Sequence, residues 1–274
     1  MDSQRSGGQF APSSAMATPL RVLILGGTTE AATLAKLIAG DGRLEATLSL
    51  AGRTSRPRPQ PLPTRIGGFG GPDGLASFIE EKAIDVVIDA THPFADQISA
   101  NAVAACGRTG IPLASIVRPA WQAEPADRWQ LVGTAEEAAA ALGSSPRRVF
   151  LSLGRLDLHV FAPASQHHYI ARTIDPPQQQ ELPTDIRFVQ ARGPFDLAGE
   201  TRLLRDEKID IVVSKNSGGT ATYAKIAAAR QLGLSVVMIA RPLKAAGHVV
   251  HSAEQAIAWL GQRLHDAGPS LRGV

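Results

Sequence analysis

A chain of 274 residues with 44% hydrophobic and 19% charged residues is long enough for one large domain or two modest ones and can bury a substantial core. The net charge of +3, from 28 basic and 25 acidic residues, comes with 5% aromatics and no run of five like charges; this argues against nucleic acid as the main partner and for a small polyanion met by scattered arginines. One cysteine, Cys106, excludes a disulfide framework and a multi-cysteine metal site and fits the reducing cytoplasm, while no apolar run reaches the roughly 20 residues of a membrane span and the amino terminus has no secretory h-region.

Residues 1–19 are rich in Ser, Gly, Pro and Gln without periodicity and read as a disordered leader, with Met16 as an alternative start. RVLILGG, from Arg21, is a short apolar run ending in glycines, as in a buried parallel strand. TEAATLAKLIAG follows with Ala31, Leu34, Ala35 and Ile38 at helical spacing and stops at Gly40. EATLSLAG is a second strand, and SRPRPQPLPT is a proline-rich excursion that is neither helix nor central strand. Asp73 is the expected cap of a helix over GLASFIEEK, and IDVVIDAT is a third strand. Pro93 is placed in the first turn of a helix over FADQISANAVAACGRTG, and IPLASIV is the next strand. The chain changes character after Arg118-Pro119 and then resumes with strands RRVFLSLG, HHYIARTI, IRFVQARG and IDIVVSKN. A helix from about Thr220 to Leu232, strand SVVMIARP and a last helix from about Ala253 to His265 complete it. This alternation predicts an α/β protein with mainly parallel, doubly wound three-layer units, divided near residue 119 into domains 20–118 and 119–274.

Chemistry is expected where strands run into helices, because ligands of open α/β sheets lie beyond the carboxyl ends of the strands. Gly26, Gly27, Thr28, Thr29 and Glu30 join the first strand to the first helix; glycines allow close backbone approach and helix amides face an anion. Gly26 and Ala31 match the dinucleotide fingerprint but Thr28 replaces its middle glycine, so a plain tight turn is the competing reading. Beyond the second strand stand Gly52, Arg53, Thr54 and Ser55 with no carboxylate, which suits a 2′-phosphate and hence NADPH rather than NADH; a solvated loop is the alternative. Gly67-Gly68-Phe69-Gly70-Gly71 is either a close approach to the cofactor or a flexible loop. Thr91 and His92 follow the third strand near the expected nicotinamide; His92 is read as a proton donor, a carboxylate ligand or a helix cap. Lys215, Asn216, Ser217, Gly218, Gly219 and Thr220 form a donor-rich turn fit to cradle a carboxylate, or else a helix cap. Arg118, Arg172 and Arg192 each end a strand and are either carboxylate clamps or surface ion-pair partners. His159, His167 and His168 lack ligand spacing, so no metal is assigned.

Three segments, LILGGTTEAATLA, DVVIDATHPFADQISANA and VVSKNSGGTATYAK, supported by Ala191-Arg192-Gly193-Pro194-Phe195, resemble the precorrin-6A reductases of cobalamin biosynthesis over about residues 21 to 242. The resemblance implies two Rossmann-like domains that exchange terminal elements, with cofactor on the first, and NADPH-dependent reduction of one double bond of the precorrin-6A macrocycle to precorrin-6B. It also implies a tetrapyrrole with many carboxylate arms as substrate, with Arg118, Arg172, Arg192 and the Lys215–Thr220 turn as their partners, and neighbouring pathway enzymes as candidate contacts. His92 and Lys215 are then the candidate proton donors. The cobalt-precorrin-6A reductase of the anaerobic branch is the nearest alternative. A non-catalytic NADP sensor leaves the Lys215 turn unexplained, and an extended short-chain reductase is disfavoured because neither Tyr169 nor Tyr223 is followed by lysine four residues on.

Overall fold

In the computed structural model, residues 18–52, 58–175 and 181–266 are described, and of the expected leader only residues 18 and 19 fall among them. The first half supplies strands β1 (Leu20–Leu25), β2 (Leu44–Leu50), β3 (Thr64–Ile66), β4 (Val86–Asp89) and β5 (Leu113–Ile116). After them come β6 (Arg128–Val132), β7 (Arg148–Ser152), β8 (His168–Thr173), β9 (Ile186–Gln190), β10 (Ile211–Lys215), β11 (Ser235–Ile239) and β12 (His248–Val250). The helices are α1 (Thr29–Ile38), α2 (Gly71–Glu81), α3 (Asp96–Thr109), α4 (Ala135–Ala141), α5 (Leu197–Asp206), α6 (Ala224–Gln231) and α7 (Ala253–Asp266), with a short 3₁₀ helix at Arg155–Phe161.

Among the described residues every strand pairing is parallel, and the strands form two six-stranded sheets, ordered β12-β5-β4-β1-β2-β3 and β6-β11-β10-β7-β8-β9. Each is Rossmann-like, with the first strand of its unit at the centre and the order reversing beside it. Such strands are covered on both faces, which explains why Val22, Leu23, Ile24 and Leu25 are all buried. Val22 and Ile24 pack with Leu34 and Ile38 of α1 and Trp259 and Leu260 of α7. Leu23 and Leu25 pack on the other face with Leu75 and Ile79 of α2 and Ala102 and Ala105 of α3. The second sheet repeats the plan: α4 and the 3₁₀ helix cover Val149 and Leu151, while α5 and α6 cover Phe150 and Val212.

The sixth strands are exchanged. β6 follows β5 in the chain but pairs with β11, and β12 follows β11 but pairs with β5. The local chemistry of the halves is also duplicated. Arg21 donates its amide to Asp85 at 2.9 Å and Arg148 to Asp210 at 2.7 Å, each aspartate locking the start of a central strand to its neighbour. Both exchanged strands lead into a helix cap like a capping box, with the third helical side chain reaching back to the amide one residue before the N-cap. Thr134 accepts from the Glu137 amide while Glu137 accepts from the Gly133 amide; Ser252 and Gln255 repeat this with His251. β5 and β11 both run into an Arg-Pro pair, Arg118-Pro119 and Arg241-Pro242.

Three expected boundaries move. α2 begins at Gly71 with Gly70 at its N-cap, so Asp73 lies in the first turn rather than capping it. Pro93 stands ahead of α3, whose N-cap is Ala95; the Thr91–Ala95 stretch is a turn closed by Ala95 N–H to His92 O at 2.8 Å. α6 starts at Ala224, because the residues from Ser217 to Tyr223 form a tight turn instead of helix.

Candidate functional site

The carboxyl ends of both sheets face each other, so the strand-to-helix turns of the two halves meet. At the first turn, Gly26 is packed tightly: a Cβ there would lie 2.6 Å from Leu48 Cδ1 and force that side chain to shift. Its amide is tied to Ser49 O at 2.9 Å. Gly27 has φ +113° and open space where a side chain would be, so the backbone is bare on its outer side. Thr28 caps α1 by accepting from the Ala31 amide and donates to Ala90 O at 2.7 Å, joining the turn to the end of β4. A bare, positive-φ glycine leading into a helix amino end fits the pyrophosphate of a dinucleotide. Gly52 closes β2 beside Ile66, while Arg53, Thr54 and Ser55 lie outside the described residues.

The end of β4 is a polar part of the core. Asp89 is buried and accepts from the Thr91 amide at 3.0 Å, the Thr91 hydroxyl at 2.6 Å and the Ser99 hydroxyl at 2.6 Å. Its charge is met by Lys244, 3.2 Å away, which also donates to Thr91 Oγ1 at 3.0 Å. His92 follows. Its Nδ1 accepts from the Phe94 amide at 3.2 Å, so the ring proton is on Nε2, which donates to Ser217 Oγ at 3.1 Å across the interface. Burial, together with the nearby charges of Arg118, Lys215, Lys244 and Arg241, lowers its pKa to about 3. The ring is therefore neutral at physiological pH.

On the opposing wall, Lys215 Nζ pairs with Asp157 at 2.8 Å and lies 5.0 Å from the Phe94 ring centre. The Asn216 side chain grips the Trp121 backbone from both sides, accepting its amide at 2.8 Å and donating to its carbonyl at 3.0 Å. Arg118 spans the crevice: Nε donates to Ser217 O at 2.7 Å and Nη1 reaches Glu30 at 2.6 Å. Burial pushes the Glu30 pKa up, but the Arg118 pair together with its own amide and Thr28 outweighs it, and the pKa is lowered. A small cavity lies between Thr28, Glu30, Thr91, Pro93, Ile116 and Arg118. Arg241 is a staple. It donates to the carbonyls of Asn216 at 2.7 Å, Arg118 at 2.6 Å, Pro119 at 3.0 Å and Ser217 at 2.8 Å.

Glu30, Thr91, His92, Arg118, Lys215 and Ser217 are thus brought to one crevice, with Gly218 and Gly219 in the same turn and Thr220 exposed beside them. Arg172 takes the ion-pair alternative given for it. It is buried at the end of β8, its guanidinium is taken by a two-pronged pair with Glu200 of α5, and it stacks 3.7 Å from the Phe195 ring centre. Its fork is paired within the second half. Arg192 is half-buried just past β9. Sequence reasoning missed Asp89, Lys244 and Arg241; the repetition of Arg-Pro after β5 and β11 was the available signal for Arg241. Among the described residues no group of three or more His, Cys, Asp or Glu is placed to hold a metal, and no helix is long and apolar enough to cross a membrane.

The family model described as "Precorrin-6x reductase CbiJ/CobK" matches residues 21–261. The chain is 50% identical over 254 residues to a precorrin-6A reductase of Rhodobacter capsulatus, covering 93% of this chain and 99% of that protein. To a cobalt-precorrin-6A reductase of Priestia megaterium it is 30% identical over 248 residues, covering 86% of this chain and 96% of that one. A solved structure of CobK precorrin-6A reductase superposes with a TM-score of 0.85 at 50% identity, covering 93% of this chain and all of that one, 100%.

Proposed function

This chain belongs to the CbiJ/CobK family of precorrin-6x reductases, and from that premise we propose that it reduces one double bond of the precorrin-6A macrocycle, giving precorrin-6B in cobalamin biosynthesis, with NADPH as reductant. It is an oxidoreductase acting on a CH–CH group. The observation that carries the substrate choice is 50% identity along 99% of a precorrin-6A reductase, against 30% for the cobalt-precorrin relative.

NADPH, when bound, supplies the hydride. Gly26, Gly27, Thr28, Thr29 and Glu30 are assigned to its pyrophosphate, Gly52 with the Arg53–Ser55 loop to its adenosine end, and Thr91 and His92 to the nicotinamide side of the crevice. The facing turn, Lys215 with Ser217, Gly218, Gly219 and Thr220, together with Arg118 and Arg192, is assigned to the carboxylate arms of the substrate. Saturating a double bond needs a proton as well as a hydride. His92, held neutral, has no imidazolium proton to give; its task in this reading is to hold Ser217 by the Nε2–H bond. Lys215 carries the proton-bearing ammonium beside the same crevice, and Asp157 fixes its position. Residues 20–118 with the returning β12 and α7 form the cofactor unit, and the stretch from 119 to β11 the substrate unit. The cytoplasm is the location that the single cysteine and the biosynthetic role favour.

The test is to mix the protein with NADPH and precorrin-6A and follow absorbance. NADPH oxidation only when the tetrapyrrole is present supports the assignment. Turnover of the cobalt-containing analogue alone moves the enzyme to the anaerobic branch, and binding without turnover defeats the enzymatic reading.

A further inference from the structure

Arg65 is a half-buried cation of the first half that the function above does not use. It sits in the middle of β3, in register with Ser49 of β2. Its guanidinium lies 3.9 Å from the centre of the Phe69 ring and 5.3 Å from that of Phe78, two rings that are themselves packed edge to face. Nη1 donates to Ser49 Oγ at 3.0 Å and to Gly67 O at 2.9 Å, and Nη2 donates to Gly68 O at 3.0 Å. Among the described residues those three bonds leave Nε–H and a second Nη2–H without an acceptor, and no carboxylate pairs with it. Burial lowers its pKa, and no acidic neighbour raises it again. A planar cation clamped on an aromatic platform, neutralised only by a hydroxyl and two carbonyls, is pre-ordered for an anion that the chain itself does not provide.

Its position says which anion. The Ser49 residue that receives Arg65 on its hydroxyl also receives the Gly26 amide on its carbonyl. Arg65 is therefore one strand beyond β2, about 10 Å or two inter-strand spacings from the pyrophosphate turn. The ribose of a dinucleotide whose pyrophosphate is at Gly26 lies beside the end of β2, and Arg65 reaches that end from β3 through its bond to Ser49. A Cβ at Gly67, Gly68, Gly70 or Gly71 in the turn that Arg65 tethers would meet nothing within 4 Å, so the backbone of that turn is open to an approaching anion. We propose that Arg65, held by Ser49 and the Gly67–Gly68 carbonyls, contacts the 2′-phosphate of the cofactor and is a determinant of NADPH over NADH.

The inference rests on NADPH being the cofactor, and binding of half-cofactors separates the two. Calorimetry with 2′,5′-ADP and 5′-AMP is run on the full chain, on Arg65→Gln and on Arg65→Lys. The expected result is tight 2′,5′-ADP binding by the unmodified protein and a loss of about tenfold or more in Arg65→Gln, with 5′-AMP binding unchanged. Arg65→Lys, which keeps the charge but not the fork, should fall between them. Wild-type protein with no preference for 2′,5′-ADP overturns the NADPH assignment itself. A preference that survives in both variants overturns only the role of Arg65 and leaves selection to the Arg53 loop. Equal loss of both ligands in Arg65→Gln and in Arg65→Lys identifies a loop-holding residue and also overturns the inference.

Discussion

His92 illustrates how a buried imidazole translates into pH dependence. Its pKa in the folded chain is about 3, below the ordinary 6.5 of an exposed ring, because burial and four nearby cations oppose the imidazolium. The unfolded chain therefore takes up the proton first as pH falls. The stability that His92 contributes is complete above about pH 6.5 and is lost progressively towards pH 3. His92→Gln, which has no such titration, should flatten the stability profile between pH 6 and 4, measured by urea unfolding at each pH. An unchanged acid limb would show that other groups govern it. The Asp89–Lys244 pair makes the opposite point, since its value shows only when one member is removed. Lys244→Met should cost roughly 3–5 kcal/mol, because it leaves Asp89 as an uncompensated buried charge, and Asp89→Asn in the same chain should recover most of that. If the single and double variants melt alike, the pair is solvated. Neither contact was legible in the sequence: 155 residues separate the partners, and Lys244 looks like an ordinary loop lysine until the exchanged strand carries it back to β4.

At the scale of elements, the turns after β1, β4 and β10 were readable because each combines an apolar run with small or hydroxyl residues that end it. Their fine structure was not. The stretch from Thr220 has helical composition, yet Gly218 and Gly219 take φ of +65° and +73° and bring the backbone against the crossover after β5. A Cβ on Gly218 would sit 2.1 Å from both Pro119 O and an Arg241 nitrogen. Gly218→Ala should therefore displace the staple and lower turnover of precorrin-6A by about tenfold or more, with 2′,5′-ADP binding nearly intact, since the cofactor turn lies on the other sheet. Equal loss of both would place Gly218 in the general fold instead. β6 and α4 escaped notice for a different reason. RWQLV is an edge strand with mostly exposed side chains and so lacks an apolar run, and AEEAAAA is short and buries only Ala138. β3, a TRI triplet just after Pro63, and β12, the HVV triplet, are too short for periodicity to register. What does identify β6 and β12 is duplication: the second exchanged strand carries the same helix cap as the first.

The exchange of sixth strands decides how the whole molecule comes apart. Neither sheet is complete without a strand delivered by the crossover from the other half. Arg241 bonds the two crossovers together through Arg118 O and Pro119 O. Opening the first half removes β12 and the α7 cover from β5 and α1, and pulls on the segment that carries Lys244 and Arg241; opening the second removes β6 from β11. Free energy lost on one side is thus lost on the other, and the halves should unfold as one unit although each has its own core. The tryptophans allow this to be measured, because Trp259 lies in the first core while Trp121 and Trp129 belong to the second. A chain retaining Trp259 alone and one retaining Trp121 alone should show the same urea midpoint once each is compared with the loss of secondary structure in the same variant. Two separated fluorescence transitions would mean that the exchanged strands are ornaments on independent domains. A single transition would mean that the cofactor wall and the substrate wall are held at a fixed spacing by the same contacts that hold the fold, as hydride transfer between two bound planar molecules requires.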